Sequence, residues 1–405
     1  MSWASAKIGD LAEMVTKGTT PTTYGMPFTD SGVNFIKAEA LNGDCVLDRA
    51  GFTFVAESTH EKLKRSMLAE GDVLVTIAGA QVGKCGIVRQ EHLPANTNQA
   101  VGIVRVRRTQ ANPRFIYYFF KNPRTFQRLQ GLGGQAAQPN INLAVLKGVT
   151  LPVPDIKTQN SVVEHLSALD DLIENNRRRI DLLEEAARLL YREWFVYLRF
   201  PGHDHVKVKD GVPEEWSKVA VSDVVDVLSG GTPKTGVPSY WDGHIPFFTP
   251  KDTTETPFVL ETEKTITEEG LRSCNSQLYP PDTLFITARG TVGKLNLALV
   301  PMAMNQSCYA LKTKVHVHQR YIYLALKAAI EQVRSKATGA VFDAIIVATF
   351  DTIPFLLPPE RLARSFTLHI QPMFDQMANL VLQNKKLTEA RDLLLPRLMN
   401  GEIAV

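Results

Sequence analysis

The chain has 405 residues, of which 44% are hydrophobic and 21% are charged, so it has room for two or three globular domains and does not have the composition of a disordered protein. Its four cysteines are scattered without a CxxC pair, which argues against both a disulfide framework and a zinc site. The N-terminus has no signal-peptide pattern and no stretch reaches the ~20 apolar residues of a membrane span, so we expect a cytoplasmic protein without a membrane contact.

A glycine-containing turn comes first along the chain. Gly18-Thr-Thr20-Pro21 follows an apolar segment, and Gly and Pro are typical of turns. The apolar, β-branched run after Asp72 then predicts a buried strand. This strand ends in a second glycine-containing loop, Gly79 to Lys84.

The loop from Gly79 to Lys84 resembles a nucleotide-binding P-loop only superficially. A P-loop requires GxxxxGK followed by Ser or Thr, whereas here the first glycine is one residue too close and Cys85 follows the lysine. Two interpretations remain: a loop that places Gln81 and Lys84 against DNA, or a hairpin turn whose lysine stays in water.

Two helical segments follow. The spacing of the aromatic residues from Arg114 to Arg128 predicts a helix whose aromatic side chains belong to the core. After a strand that ends at Pro154, apolar residues recur every three or four positions from Leu166 to Trp194, which is the coiled-coil period. The acidic pairs in this tract, Asp170-Asp171 and Glu184-Glu185, are most simply its solvated face.

The whole order then repeats. Residues 165–190 recur without a gap at 369–394, Gly18-Thr-Thr20-Pro21 recurs as Gly230-Gly-Thr232-Pro233, and Asp72 to Lys84 recurs as 282–294. A repeat of about 200 residues is too long for a solenoid unit, so it indicates two copies of a domain followed by a helix. In the second helix, Pro372 and Pro396 predict trimmed or kinked ends.

The two heptad tracts predict a pair of helices. Each tract has one polar asparagine, Asn176 or Asn384, of the kind that helps to specify register and partner. Pairing within the chain, antiparallel, is the simplest arrangement, although homodimerisation through the same residues stays open. The residues predicted to pair are Leu169, Ile173, Asn176, Ile180 and Leu183 with Met373, Met377, Leu380, Asn384 and Leu387.

The formal net charge of +3 hides an uneven distribution. No acidic residue lies between Glu91 and Asp155, and Glu331 is the only one between Asp282 and Asp343, while each segment carries many Lys and Arg residues. Such basic segments are typical of proteins that bind a polyanion, although a solvated basic surface without a partner has the same composition.

Together these motifs resemble the specificity subunit of type I restriction-modification systems, and the resemblance covers nearly the whole chain. It rests on an order of motifs that occurs twice: Trp, Gly-x-Thr-Pro, a strand with Gly-x-x-x-Gly-Lys, Asn-Gln, a strand ending in proline, and the heptad helix. The second copy departs from this pattern at Arg289, where the first copy has Gly79. The resemblance implies an α+β fold in which two mixed α/β target recognition domains are separated by two long helices that form an intramolecular antiparallel coiled coil with pseudo-two-fold symmetry. The predicted boundaries are 1–155 and 201–358 for the domains and 156–200 and 359–405 for the helical regions.

The resemblance also implies partners and a division of labour. Each domain would read one half of a bipartite double-stranded DNA target, while the helices set the spacer and dock two modification subunits, which bring S-adenosylmethionine and are joined by restriction subunits. We predict no catalytic residue, no metal site and no cofactor on this chain, because the sequence has no nucleotide, metal or methyltransferase motif. A coiled-coil adaptor that holds two protein-binding domains apart is the alternative.

Base readout needs side chains that form paired hydrogen bonds, and phosphate contacts need cations. On those grounds, the candidate DNA-binding residues are Lys37, Gln81, Lys84, Asn98, Gln99, Arg105, Gln135, Gln138 and Asn140 in the first copy and Lys251, Arg289, Thr291, Lys294, Asn305 and Gln306 in the second. Lys84 and Lys294 fit phosphate better than bases, and the Asn and Gln residues could equally form turns.

Overall fold

The computed structural model describes residues 3–41, 47, 49–79, 81–132, 140–336 and 344–405, except for the side chains of 50 and 332–336. The chain forms two compact units, one built from 1–172 and 387–405 and the other from 173–386. Each unit contains one copy of the sequence repeat together with parts of both long helices.

In the described part of the first unit, the chain forms nine strands. They are β1 (Ala4–Lys7), β2 (Ala12–Lys17), β3 (Val33–Ile36), β4 (Phe52–Val55), β5 (Val73–Thr76), β6 (Cys85–Ile87), β7 (Ala95–Thr97), β8 (Val101–Val106) and β9 (Thr150–Val153). Its helices are α1 (Ile8–Leu11), α2 (Glu57–Lys62), α3 (Pro113–Lys121), α4 (Pro123–Leu132), α5 (Leu143–Gly148) and the first part of α6 (Ile156–Tyr191).

These strands form three small sheets. The largest has the order β2-β8-β5-β6 and is antiparallel throughout; β4-β3-β7 contains the parallel pair β3 and β7; β1 pairs with β9. α3 begins where the Asn112 side chain caps the backbone N–H of Arg114 at 2.8 Å, with Pro113 in the first turn. The aromatic residues of α3 are buried in the core of the unit, as the sequence predicted.

The second unit repeats this arrangement with different lengths. Its strands are β10 (Val208–Lys209), β11 (Val212–Pro213), β12 (Ser217–Ala220), β13 (Val225–Ser229), β14 (Trp241–Phe248), β15 (Phe258–Val259), β16 (Thr265–Ile266), β17 (Leu284–Thr287), β18 (Leu295–Ala298), β19 (Ala303–Met304), β20 (Cys308–Thr313) and β21 (Pro354–Leu357). Its helices are α7 (Val221–Val224), α8 (Glu268–Arg272), α9 (Gln319–Lys336), α10 (Thr349–Thr352) and most of α11 (Glu360–Met399).

The sheet orders of the two units correspond strand by strand. β13-β20-β17-β18 repeats β2-β8-β5-β6, and β15 is added at its edge. β16-β14-β19 repeats β4-β3-β7, including the parallel pair, and β12-β21 repeats β1-β9. The predicted duplication of a mixed α/β domain is therefore confirmed at the level of strand order.

α6 and α11 pair in antiparallel fashion within each unit. In the second unit, Asn176 contacts Asn384 near one end of the paired segment, while Trp194 and Phe366 pack at the other with ring centroids 5.5 Å apart. In the first unit, Asp170 on α6 bonds to Arg391 on α11 at 3.0 Å. The predicted antiparallel coiled coil is confirmed, and every residue predicted to pair is buried or half-buried.

Two details of the helix prediction are wrong. α6 ends at Tyr191, and a π-helical turn from Arg192 to Val196 follows it, so the seam residue Trp194 lies beyond the regular helix. α11 is not trimmed at Pro372 or Pro396, since it is helical from Glu360 to Met399. The Pro372 side chain is exposed, so the carbonyl that loses its partner lies toward water, where a helix tolerates this loss.

Candidate nucleic-acid interface

In the first unit, the parallel strands β3 and β7 end at the same edge of their sheet. The Thr97 hydroxyl donates to the Ile36 carbonyl at 2.6 Å, which ties the ends of these strands together. Lys37 follows one strand and Asn98 follows the other, so the two predicted residues lie at the same edge. Both residues lie beyond the strand ends, so their backbone groups are not part of the strand ladder.

The loop that resembles a P-loop is the hairpin turn between β5 and β6. The Thr76 N–H donates to the Lys84 carbonyl at 2.7 Å, and Gly79 and Gly83 take positive φ angles of 98° and 93°. The Ile77 N–H donates to the Ala100 carbonyl at 2.8 Å, which places the hairpin beside the turn between β7 and β8. Both interpretations of this loop share the hairpin turn that the structure shows, and DNA contact by Gln81 and Lys84 stays a prediction.

The candidate residues at this edge differ in exposure. Gln81, Gln99 and Asn140 are exposed, and Lys84 is half-buried. Lys37 is also half-buried and lies over the Phe28 ring at 4.3 Å from its centroid, a cation–π contact. Gln135 and Gln138 lie outside the described residues.

Asn98 has a different environment from its neighbours. Its Oδ1 atom is buried, and within the described part of the chain it has no hydrogen-bond partner. The equivalent atom of Asn305 accepts from the Ser307 N–H at 3.0 Å. The two asparagines therefore hold their side chains differently in the two units, although they occupy equivalent turns.

The structure gives Arg105 a partner within the protein. Its guanidinium makes two hydrogen bonds to the Asp72 carboxylate, at 2.8 and 2.7 Å, and the Asp72 side chain is fully buried. The hydrogen bonds that the guanidinium donates to Asp72 raise the pKa of Arg105. Arg105 neutralises a buried carboxylate between β5 and β8, so we infer a role for it in the framework, and its predicted contact with DNA stays a prediction.

The same edge recurs in the second unit. The Asn305 N–H donates to the Phe248 carbonyl at 3.0 Å, and the Arg289 N–H donates to the Ser307 carbonyl at 3.3 Å. The Thr291 hydroxyl reaches the Pro250 carbonyl at 3.4 Å, next to Lys251. These contacts gather the predicted residues of this copy, and Lys251, Arg289, Thr291 and Gln306 are exposed there.

The two hairpin lysines differ in the charges that surround them. Lys294 forms an ion pair with Glu255, with Nζ and Oε1 2.9 Å apart, and Glu255 is almost fully exposed. Lys84 has the equivalent position in the first hairpin. The two hairpins differ in sequence, since Gly79 in the first stands where the second has Arg289. A lysine that already faces a carboxylate has less charge available for a phosphate.

One contact between repeated motifs went unnoticed in the sequence. The Thr20 hydroxyl donates to the side-chain oxygen of Gln99, and the Thr232 hydroxyl donates to that of Gln306. Both motifs occur twice in the sequence in the same order, and this repetition is the signal from which their contact could have been predicted. Their contact means that the Gly-x-Thr-Pro turn supports the Asn-Gln turn in each unit.

Two acidic residues predicted to lie on a solvated face are withdrawn from solvent: Asp170 is half-buried and Glu184 is buried. Asp170 accepts hydrogen bonds from Tyr118 at 2.9 Å and from Lys121 and Arg391 at 3.1 and 3.0 Å. Burial opposes the charge of Asp170, but the attraction of Lys121 and Arg391 outweighs it, so the pKa of Asp170 lies below its usual 3.8. Asp170 therefore joins α3, α6 and α11 in the first unit.

Glu184 has the corresponding role in the second unit, although it is not the repeat equivalent of Asp170. It accepts from the Tyr323 hydroxyl at 2.6 Å and from the Lys327 ammonium group, both on α9. Burial, followed by the charge of Glu184, raises the pKa of Tyr323 well above its ordinary value. The sheets and helices of each unit are thus anchored to α6 through a carboxylate, a tyrosine and a lysine.

Metal-binding clusters and membrane-spanning helices were sought among the described residues. No three His, Cys, Asp or Glu side chains among them lie close enough together to hold a metal ion. No helix in the same ranges is long and apolar enough to cross a membrane.

Comparison with known proteins gives one consistent family. Residues 1–185 and 213–361 match the model of the type I restriction modification DNA specificity domain. The MjaIX type I restriction enzyme specificity subunit of Methanocaldococcus jannaschii is 24% identical over 412 residues, covering 100% of this chain and 94% of that protein. The HindI specificity subunit of Haemophilus influenzae is also 24% identical, over 65% of this chain and 71% of its own length.

A solved structure agrees in fold. The type I restriction-modification S subunit from M. genitalium aligns with a TM-score of 0.56 at 14% identity, over 98% of this chain and 96% of that one. At this identity the likeness concerns the fold alone. Because the family model matches most of the chain in two separate segments, the protein belongs to the type I restriction-modification specificity family and carries two of its DNA specificity domains.

Proposed function

We propose that this chain is the DNA-reading subunit of a type I restriction-modification complex, in which each unit reads one half of a bipartite double-stranded target. The observation that carries the proposal is the recurrence of one edge in both units. At that edge the same strand ends and the same hairpin gather exposed polar and cationic side chains.

The chemistry of this edge fits DNA. Glutamine, asparagine and arginine side chains form paired hydrogen bonds with base edges, while lysines fit the phosphates. The framework recurs, whereas the exposed hairpin residues differ: Gly79 and Gln81 in one unit stand where the other has Arg289 and Thr291. Such a difference is expected if the two units read different bases on a common scaffold.

The partners follow from the same proposal. α6 and α11 set the distance between the half-sites and dock two methyltransferase subunits, which carry S-adenosylmethionine and methylate DNA. Restriction subunits join the assembly. The chain itself recognises the target and catalyses no reaction, and it works in the cytoplasm.

Methylome sequencing tests the function most directly. The chain would be expressed with its modification partner in a host without other methyltransferases, and modified bases would be mapped genome-wide. We expect one bipartite motif with two specific half-sites and a spacer of fixed length. If assembly is verified and no such motif is methylated, the proposal is wrong.

Salt dependence separates this function from that of a coiled-coil adaptor for two protein-binding domains. A DNA-reading complex loses affinity linearly on a log–log plot as salt rises, because cations on the protein replace the counterions of the phosphates. An adaptor would show no such dependence on a target duplex.

A further inference from the structure

The Gly-x-Thr-Pro and Asn-Gln motifs form one interlocked structure in each unit. A side chain on Gly18 would meet the Thr97 carbonyl oxygen at 2.1 Å, and one on Gly230 would meet the Asn305 carbonyl oxygen at 2.2 Å. No Cβ atom tolerates such distances from backbone, so glycine is required for the two turns to approach each other. The sequence repeat of these glycines therefore has a steric cause.

This close approach brings a threonine to a glutamine. In the first unit, the backbone N–H of Thr19 donates to the Thr97 carbonyl at 2.9 Å. In the second unit, the backbone N–H of Gly231 donates to the Met304 carbonyl at 3.2 Å. With the backbone fixed in this way, the hydroxyls of Thr20 and Thr232 reach the side-chain oxygens of Gln99 and Gln306. The contact recurs although the two units differ at many surrounding positions.

The contact determines what each glutamine can offer to a ligand. Its amide oxygen accepts from the threonine, which orients the amide group, and the NH2 group of this exposed side chain stays available as a donor. Both glutamines lie at the edge beside the hairpins, whose own exposed residues differ between the units. One donor of fixed orientation is thus common to two otherwise different surfaces.

A common donor requires a common acceptor. Base edges change with sequence, whereas every DNA sequence carries phosphate oxygens at the same spacing. We propose that Gln99 and Gln306, held by Thr20 and Thr232 as positioning residues, form a matched pair of sequence-independent contacts to DNA phosphates, one in each recognition domain. This inference rests on the proposed function, and it assigns the two glutamines to the DNA backbone instead of to base readout.

Binding measurements on the full chain assembled with its modification subunits test this assignment. Two duplexes of equal length would be used, one with the methylated motif and one with both half-sites scrambled. We expect Gln99→Ala to weaken binding of both duplexes by the same factor, about tenfold, because a hydrogen bond to a charged group contributes roughly that much. Gln81→Ala, at the hairpin, serves as a matched variant whose loss should fall mainly on the target duplex.

The threonines supply the positioning test. Thr20→Val with Thr232→Val keeps the side-chain shape and removes both hydroxyls, and should reproduce the uniform loss. Thr20→Ser with Thr232→Ser keeps the hydroxyls and should restore binding. Equal melting temperatures of the wild-type and all variant complexes would exclude unfolding as the cause.

Neutral phosphate linkages identify the acceptor. Single methylphosphonates would be placed along each half-site, and we expect one sensitive position in each. The substitution in one half-site should weaken the wild-type complex but not Gln99→Ala, and that in the other should weaken the wild-type complex but not Gln306→Ala. A loss confined to the target duplex, or the absence of any such position, would overturn the inference. A wild-type complex that binds neither duplex would overturn the proposed function itself.

Discussion

Asn176 donates its side-chain amide to the Oδ1 atom of Asn384 at 3.0 Å, so the two polar residues of the heptad tracts meet each other. They are not equivalent in the sequence repeat, but they lie opposite each other once α6 and α11 run antiparallel. Asn384 also donates to the Ile173 carbonyl at 3.3 Å. This pair therefore favours one register over its neighbours, because any shift would bury both amides against apolar side chains.

The first prediction concerns this asparagine pair. Asn384→Leu should destabilise the protein by about 2 kcal/mol, because it leaves the buried amide of Asn176 without its partner. The double variant with Asn176→Leu should regain most of that stability while forming mixed oligomers. Urea unfolding and sedimentation analysis measure the two effects, and Asn175→Leu, at an exposed position, is the control. A double variant that stays uniformly monomeric would contradict the role in register.

The second prediction concerns the half-buried carboxylate Asp170. Asp170→Asn should cost about 3 kcal/mol at neutral pH, since it leaves the buried charges of Lys121 and Arg391 without their common partner. Asp171→Asn, on the exposed side of the same turn, should change stability by less than about 0.5 kcal/mol.

The pH dependence of the same site has a definite sign. The folded pKa of Asp170 is lower than its usual 3.8, so its stabilisation is present above that value and is lost as the pH falls through the folded pKa. Urea unfolding of the wild type and of Asp170→Asn should therefore converge in acid, below about pH 4. A stability difference that stays constant into strong acid would contradict this assignment.

The third prediction separates framework from interface. Arg105→Gln should destabilise the first unit by about 3 kcal/mol, because the buried Asp72 carboxylate loses both of its hydrogen bonds from the guanidinium. The affinity of the folded complex for DNA should stay within about twofold of the wild type. Arg124→Gln changes an exposed arginine in the same unit and controls for net charge. Normal stability with lost affinity would restore Arg105 to the DNA interface.

The fourth prediction compares the two hairpin lysines. Lys84→Ala should weaken binding of all duplexes and reduce the log–log salt slope by about 1, as expected for one phosphate contact. Lys294→Ala should have a smaller effect, because Glu255 already offsets its charge. Glu255→Gln should then raise affinity at low salt. Identical salt slopes for both alanine variants would show that the ion pair opens when DNA binds.

The fifth prediction concerns the spacer. One heptad would be inserted in α6 between Asn176 and Ile180 and a matching heptad in α11 between Leu380 and Asn384, so that the inserted turns face each other. We expect a spacer longer by about three base pairs, since seven residues add about 10 Å of helix. Methylome sequencing reads the result, and both half-sites should stay unchanged. Altered half-sites would contradict the division of labour between domains and helices.

Periodic and repeated features of the chain were predictable from sequence. The heptads predicted the helix pair, and the aromatic spacing near Tyr118 predicted a buried helix, because both patterns are local. The duplicated order predicted two domains of one fold, since it records the same strands twice. These features need no knowledge of which segments meet in space.

Contacts between distant segments were not predictable in the same way. Asp170 and Arg105 are ordinary charged residues in the sequence, and only the folded chain brings Arg391 to one and Asp72 to the other. A local signal can also mislead: Pro372 predicts a helix end, but α11 continues through it because the proline is exposed. The Thr20 and Gln99 contact likewise depends on a close backbone approach that no single motif encodes.

The division of the first unit between 1–172 and 387–405 has a consequence for synthesis on the ribosome. Leu395, Leu398 and Met399 belong to the same core as Ile8 and Leu166, but they are translated after the whole of the second unit. The contiguous second unit can therefore complete its folding first, which reverses the usual N-terminal-first order. Until the last turns of α11 emerge, the apolar surface that they cover in the finished first unit stays exposed on the nascent chain.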